Sequence, residues 1–136
     1  FFSLNNGLET RSIYDVFINQ KPSPVYNRNT SVSPFDYIKR GQYIDYIQRY
    51  LKPFSNDQIL ICFFEEFTTK INSQKEILNF LCSRTNDFTF FDKVINSSKK
   101  TTTVDPIIKK KLNEYYLPFN EKLSLHLNKD LSIWLE

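Results

Sequence analysis

One stretch in the middle of the chain, Gln58-Ile59-Leu60-Ile61-Cys62-Phe63-Phe64, is apolar on both faces after Gln58, and it constrains the fold more than any other segment. A continuous run of this length between turn signals predicts a strand buried on both sides, the pattern of a parallel sheet. One strand cannot make a sheet, so its neighbours are expected from sequence outside these 136 residues or from another chain. The complete lack of methionine, even at position 1, points the same way: Phe1 is expected to lie inside a longer product. Glu65 and Glu66 follow the run abruptly, at the strand end where open parallel sheets bind ligands.

Helices are expected around this strand, which makes the predicted class α/β. Ile13, Val16 and Phe17 fit a short amphipathic helix capped by Ser12. Residues 21–35 hold Pro22, Pro24 and Pro34 among Ser, Asn and Thr and read as loop. Across residues 38–51, Ile38, Tyr43, Ile44, Ile47, Tyr50 and Leu51 recur at helical spacing, and Pro53 stops that helix. Ser73-Gln74-Lys75-Glu76 has the form of a capping box, opening a helix that buries Ile77, Leu78, Phe80 and Leu81. Asp105-Pro106 pairs an N-cap with proline at the first helical position and starts a helix through Tyr116. Pro118 is expected to start another, with Phe119, Leu123 and Leu127 on one face.

Composition narrows the partners. Eighteen basic against 15 acidic residues give a net charge of +3, compatible with an anionic ligand. That falls short of the dense basic face of a nucleic-acid binder, and no nucleic-acid partner is expected. Thirteen Phe, 8 Tyr and one Trp are enough to fill a core or a cleft. Cys62 and Cys82 sit in apolar runs and read as buried thiols. The single histidine, His126, is too distant in sequence to join them in a metal site. No apolar stretch approaches the roughly 20 residues of a membrane span, so any anchor would lie upstream of Phe1. Asn29-Thr30-Ser31 and Asn96-Ser97-Ser98 are glycosylation acceptor patterns, relevant only in a secretory compartment.

Several segments then share an order. Gly41-Gln42-Tyr43 opens a helix that ends in Tyr50-Leu51-Lys52-Pro53-Phe54, followed by Asp57-Gln58-Ile59-Leu60-Ile61, Phe64-Glu65-Glu66-Phe67 and Glu76-Ile77-Leu78-Asn79-Phe80-Leu81. Later come Asn96-Ser97-Ser98-Lys99-Lys100, then Leu112-Asn113-Glu114-Tyr115-Tyr116-Leu117-Pro118-Phe119-Asn120-Glu121-Lys122-Leu123, and Leu131-Ser132-Ile133-Trp134. In this order, over about two-thirds of the chain, they resemble the C-terminal half of the sulfotransferases, closest in flavour to the heparan-sulfate and carbohydrate group. Cys82 stands where that family usually has glycine.

The resemblance implies a P-loop-like parallel-sheet fold, with residues 1–136 forming part of one sulfotransferase domain in which helices dominate. It implies transfer of a sulfonate group from 3′-phosphoadenosine 5′-phosphosulfate (PAPS) to a hydroxyl or amine of a glycan or small-molecule acceptor, without a metal. With only Gly7 and Gly41 in the chain, the family's phosphosulfate loop is absent, and its general base and lysine would lie upstream of Phe1. The implied cofactor residues are Ser97, Ser98, Lys99, Lys100 and Thr101, a basic, hydroxyl-rich loop suited to the 3′-phosphate. Read from composition alone, the same loop is a solvated surface segment. Tyr43 and Tyr46 are implied on the acceptor side of the cleft, Tyr46 near a position where part of the group has histidine. Glu65 is expected to hold a helix N-terminus rather than to act as a base. Lys109-Lys110-Lys111 reads as the wet face of a helix before it reads as a glycan patch. His126 is expected to be packed or on the surface, and Trp134 to anchor the C-terminus. The compartment would be the Golgi lumen in a eukaryote and the cytoplasm in a bacterium. Two other readings remain open: another P-loop nucleotide-binding enzyme, and a non-catalytic domain that binds protein or glycan.

Overall fold

The computed structural model describes residues 7–26, 33–69, 71–81 and 104–135. The chain forms two compact units, residues 1–48 with 103–136, and residues 49–102. Among the described residues there is no β-strand, which overturns the expected α/β class and its parallel sheet. Ile59 has extended dihedrals (φ −126°, ψ 120°), but residues 59–63 pair with no neighbouring strand. A strand persists only where a partner satisfies its backbone donors and acceptors, and none is offered among the described residues. Phe64, expected as the strand's last residue, instead begins a helix.

In the first unit, helix α1 (Ile13–Phe17) forms where expected. The Ser12 Oγ accepts from Asp15 N at 3.0 Å and supplies the predicted cap. The single helix expected over residues 38–51 is two, α2 (Tyr37–Arg40) and α3 (Tyr43–Tyr50). The break falls at Gly41, the C-cap of α2, whose N–H donates to Ile38 O at 3.2 Å. Helix α3 is amphipathic: Ile44 is buried while its neighbour Tyr43 is 52% exposed.

Helix α6 (Pro106–Leu127) starts as predicted. Asp105 Oδ1 accepts from Ile107 N at 2.8 Å, and Asp105 Oδ2 accepts from the Tyr14 hydroxyl at 2.9 Å, which ties α1 to this cap. Where a second helix was expected to start at Pro118, α6 continues through it without interruption. Proline removes one donor, here to the Glu114 carbonyl, and crowds that carbonyl with its ring, but α6 is anchored on both sides by the buried Ile108 and Leu123. The helix ends at Asn128, in the left-handed region (φ 49°, ψ 48°), a conformation asparagine tolerates well. A 3₁₀ turn, Ser132–Leu135, closes the chain over the buried Leu131.

Val16, Ile44, Ile108, Leu123 and Leu131 make the buried apolar set of this unit. Glu9 is buried with them, paired to Arg11 at 2.8 Å. Arg11 also donates to Lys21 O at 2.8 Å and Phe35 O at 3.1 Å, fastening the start of the described chain to both edges of the proline-rich loop.

The second unit holds a 3₁₀ turn (Asn56–Gln58), helix α4 (Phe64–Thr69) and helix α5 (Ile71–Phe80). Helix α5 begins at Ile71, two residues before the serine expected to cap it. The Gln74 amide instead donates to Phe67 O at 3.0 Å, satisfying a carbonyl of α4. Cys62 is exposed rather than buried, because among the described residues no sheet covers the run that contains it, and Cys82 lies outside them. No helix among the described residues is long and apolar enough to cross a membrane.

Candidate functional site

Helices α2, α3 and α6 meet at Gly41. A β-carbon placed on Gly41 would sit 2.7 Å from Cε1, Cζ and Oη of Tyr116, so only glycine allows the helices to approach this closely. The Tyr116 hydroxyl donates to Ile38 O at 2.8 Å, one turn before Gly41. Burial pushes the Tyr116 phenol up to about 12, so it remains a neutral donor through the physiological range. Beside it, the Gln42 amide donates to the Tyr115 hydroxyl at 2.8 Å. Tyr115 lies edge-on to Tyr116 (5.2 Å, 88°) and stacks on Phe119 (5.7 Å, 29°).

From this junction α3 carries Tyr43 outward, where its ring meets Trp134 at 5.9 Å and 58°. Trp134 is half-buried and donates its backbone N–H to Leu131 O at 3.0 Å. The Asn113 amide of α6 donates to Leu135 O at 2.9 Å and fixes the same turn. The expected anchoring role of Trp134 therefore has a partner, Tyr43. Three segments quoted above for their order, Gly41-Gln42-Tyr43, Tyr115-Tyr116 and Trp134, thus come together in one cluster. The sequence carried one signal of this junction, a glycine inside a helical pattern. The partnership of Gln42 with Tyr115 had none.

Of the other expected site residues, Tyr46 is half-buried on α3. Ser97, Ser98, Lys99, Lys100 and Thr101 lie outside the described residues. Glu65 stands in the first turn of α4, where a carboxylate complements the helix dipole, as expected of a structural role. Lys109, Lys110 and Lys111 are exposed on α6. Lys110 lies 3.9 Å from Glu114, and Lys111 Nζ donates to Ile18 O at 3.3 Å. His126 is exposed in the last turn of α6. Among the described residues no group of three or more His, Cys, Asp or Glu side chains gathers as metal ligands would.

Two concavities flank the cluster within the first unit. One, of about 240 Å³, is lined by Arg11, Gln20, Tyr37, Lys39 and Tyr115 among others. The Tyr37 hydroxyl is buried without a hydrogen bond among the described residues. It still stands near enough to Glu9 to help hold that carboxyl low, after the larger effect of Arg11. The other is an open groove of about 420 Å³ along the C-terminal half of α6, lined by Leu117, Asn120, Glu121, Ser124, Leu125 and the final turn. Set against protein-family models, curated proteins and solved structures, the chain matches none.

Proposed function

We propose that this chain serves a PAPS-dependent sulfotransferase, contributing the acceptor-side helices and the loop that grips the 3′-phosphate of the cofactor. The observation that supports this reading is the convergence at Gly41: segments up to 91 residues apart, singled out only for their order, pack together. The strand expected at residues 58–64 was one of the segments that carried the resemblance, and it lends this reading no support.

PAPS, when bound, supplies an activated sulfonate and departs as adenosine 3′,5′-bisphosphate. The chain's own work is to bind and orient. Lys99 and Lys100, with the hydroxyls of Ser97, Ser98 and Thr101, would neutralise and cradle the 3′-phosphate, each charge-assisted hydrogen bond contributing about 1.5–3 kcal/mol. Tyr43 and Tyr46, on one helix, would border the acceptor, a glycan hydroxyl or amine.

The test is calorimetric titration of adenosine 3′,5′-bisphosphate into the protein expressed from its full reading frame, with Lys99→Ala/Lys100→Ala for comparison. Binding that weakens at least tenfold in the double variant is expected, from the loss of one charge-assisted bond or more. A folded wild-type protein with no affinity for the nucleotide would remove the sulfotransferase reading. It would leave a non-catalytic binding domain.

A further inference from the structure

Helix α6 carries a line of six residues on its solvent side: Ile107, Lys111, Glu114, Pro118, Glu121 and Leu125. Their spacing alternates four and three, the repeat that keeps positions on one stripe of a helix. All six are exposed, and Leu125 and Ile107 keep 83% and 61% of their surface in solvent. Those two stand at opposite ends of the stripe, about five turns or about 27 Å apart. The groove of about 420 Å³ runs along one flank of its C-terminal half, with Leu117, Glu121, Leu125 and Asp130 in its lining. Lys110 sits on that same flank of the helix, seven residues before Leu117 and eleven before Glu121.

Read backwards, this stripe complements itself. When a second α6 is laid against it antiparallel, about a twofold axis level with Tyr116, Ile107 of each copy meets Leu125 of the other. Lys111 comes level with Glu121, and Glu114 with Pro118. Lys110 enters on the groove side, where Glu121 and Asp130 supply the opposite charge. Two like-charge approaches oppose the pairing. The Glu114 side chains of the two copies near each other at the axis, but each has Lys110 of its own helix 3.9 Å away. Lys111 nears Lys122 on the flank away from the groove, where solvent screens the pair and Lys111 Nζ already donates to Ile18 O of its own chain. A basic peptide lying in the groove would match Glu121 and Leu125 and leave Ile107 without a partner. The reversed helix matches both ends at once.

We infer that two copies of this chain associate through α6, antiparallel, in a dimer whose twofold axis sets the same surface against itself. The stripe is about 33 Å long over the 22 residues of α6. With the groove it buries on the order of 1,000 Å² in total, the low end for specific interfaces. The dimer is therefore reversible, with a dissociation constant on the order of 10 μM. The inference goes beyond the function proposed above and does not depend on it.

Sedimentation equilibrium of the protein expressed from its full reading frame tests this. Wild type is expected to pass from monomer to dimer as its concentration rises. Lys110→Glu sets carboxylates against each other at both ends of the dimer, and Glu121→Lys sets cations against each other. Each is expected to weaken association about tenfold, and by less as salt is added. Mixed in equal amounts, the two variants oppose a carboxylate and a cation at both ends, and their mixed dimer is expected to be at least as tight as wild type. Leu125→Ala is expected to weaken association about tenfold whatever the salt, through lost apolar burial in both copies. All three positions are exposed, so the fold should survive each change, and a wild-type unfolding midpoint verifies this. A wild type that stays monomeric at about ten times the expected dissociation constant overturns the inference and leaves the face to another protein. So does a dimer whose affinity the single variants leave unchanged, or one that mixing the two charge variants fails to restore.

Discussion

Gly41→Ala is the most direct probe of the helix junction. The backbone there (φ −84°, ψ −4°) accepts alanine without strain, so the conformational cost is nil. Any penalty must come from the side chain. The new methyl would stand 2.7 Å from three atoms of the Tyr116 ring, and an ordinary contact requires a retreat of roughly 1 Å. A free tyrosine would yield cheaply, but Tyr116 is pinned by its hydrogen bond to Ile38 O and by the edge-on ring of Tyr115. Overpacking of this kind costs about 1–3 kcal/mol and a weakened hydrogen bond about 1 kcal/mol more. The reduced freedom of the unfolded chain offsets about 0.4–1 kcal/mol. The net expectation is a destabilisation of about 2 kcal/mol. Urea unfolding followed by tryptophan fluorescence measures it locally, because the single tryptophan, Trp134, lies beside Tyr43 at this junction. In the double variant with Tyr116→Phe, one of the three crowding atoms is gone, and the two effects should fall short of additivity by about 0.5–1 kcal/mol. A Gly41→Ala protein as stable as wild type, or more stable, would show that the ring moves freely and would refute the close-approach argument.

Acid should expose the Glu9–Arg11 pair. Arg11 holds the Glu9 carboxyl down to about 2 from an ordinary 4.5, so the pair's contribution is complete above 4.5 and is lost as pH falls from there toward 2. The expected loss is about 2–3 kcal/mol, read from unfolding midpoints between pH 5 and 2.5, and Glu9→Gln should flatten that slope. An equal slope in the variant would contradict it. Pro118→Ala should stabilise the protein by about 1–3 kcal/mol and raise its melting temperature, because alanine returns a backbone donor to the Glu114 carbonyl within α6. A lower melting temperature would mean that α6 relies on the kink-prone geometry at that position.

Local signals in the sequence translated well at two of the expected helix caps, Ser12 and Asp105, though not at Ser73, which lies inside α5. Ser12 and Asp105 could be read directly, since a cap needs only residues two or three positions away. The central apolar run could not be read so simply. Isoleucine, leucine and phenylalanine in a short block suit a buried strand, and periodicity cannot tell that from other buried segments. Only tertiary partners decide, and the described residues provide no strand for it to pair with. Gly41 was visible as a helix-weakening residue, yet the apolar repeat across residues 38–51 ran through it and hid the break. Pro118 misled in the opposite direction, because its local cost is outweighed by packing on either side of it. The site divides in the same manner. Tyr43 was picked out by its position in an ordered series, whereas the Gln42–Tyr115 hydrogen bond joins residues 73 apart and leaves no trace in either neighbourhood.

The first unit is assembled from two separate lengths of chain, residues 1–48 and 103–136. Tyr14 and Asp105 join them across 91 residues. What lies between, itself a compact unit, acts for this unit as a tether, and flexible residues added to it would raise the closure penalty only logarithmically, by about 0.6 kcal/mol for each doubling of flexible length. The junction around Gly41 should therefore tolerate lengthening, trimming or exchange of the tether far better than a single methyl group at its centre. Natural variation in length would accumulate between the two halves, and a glycine-serine splice in place of residues 49–102 is a practical route to a minimal version of the unit.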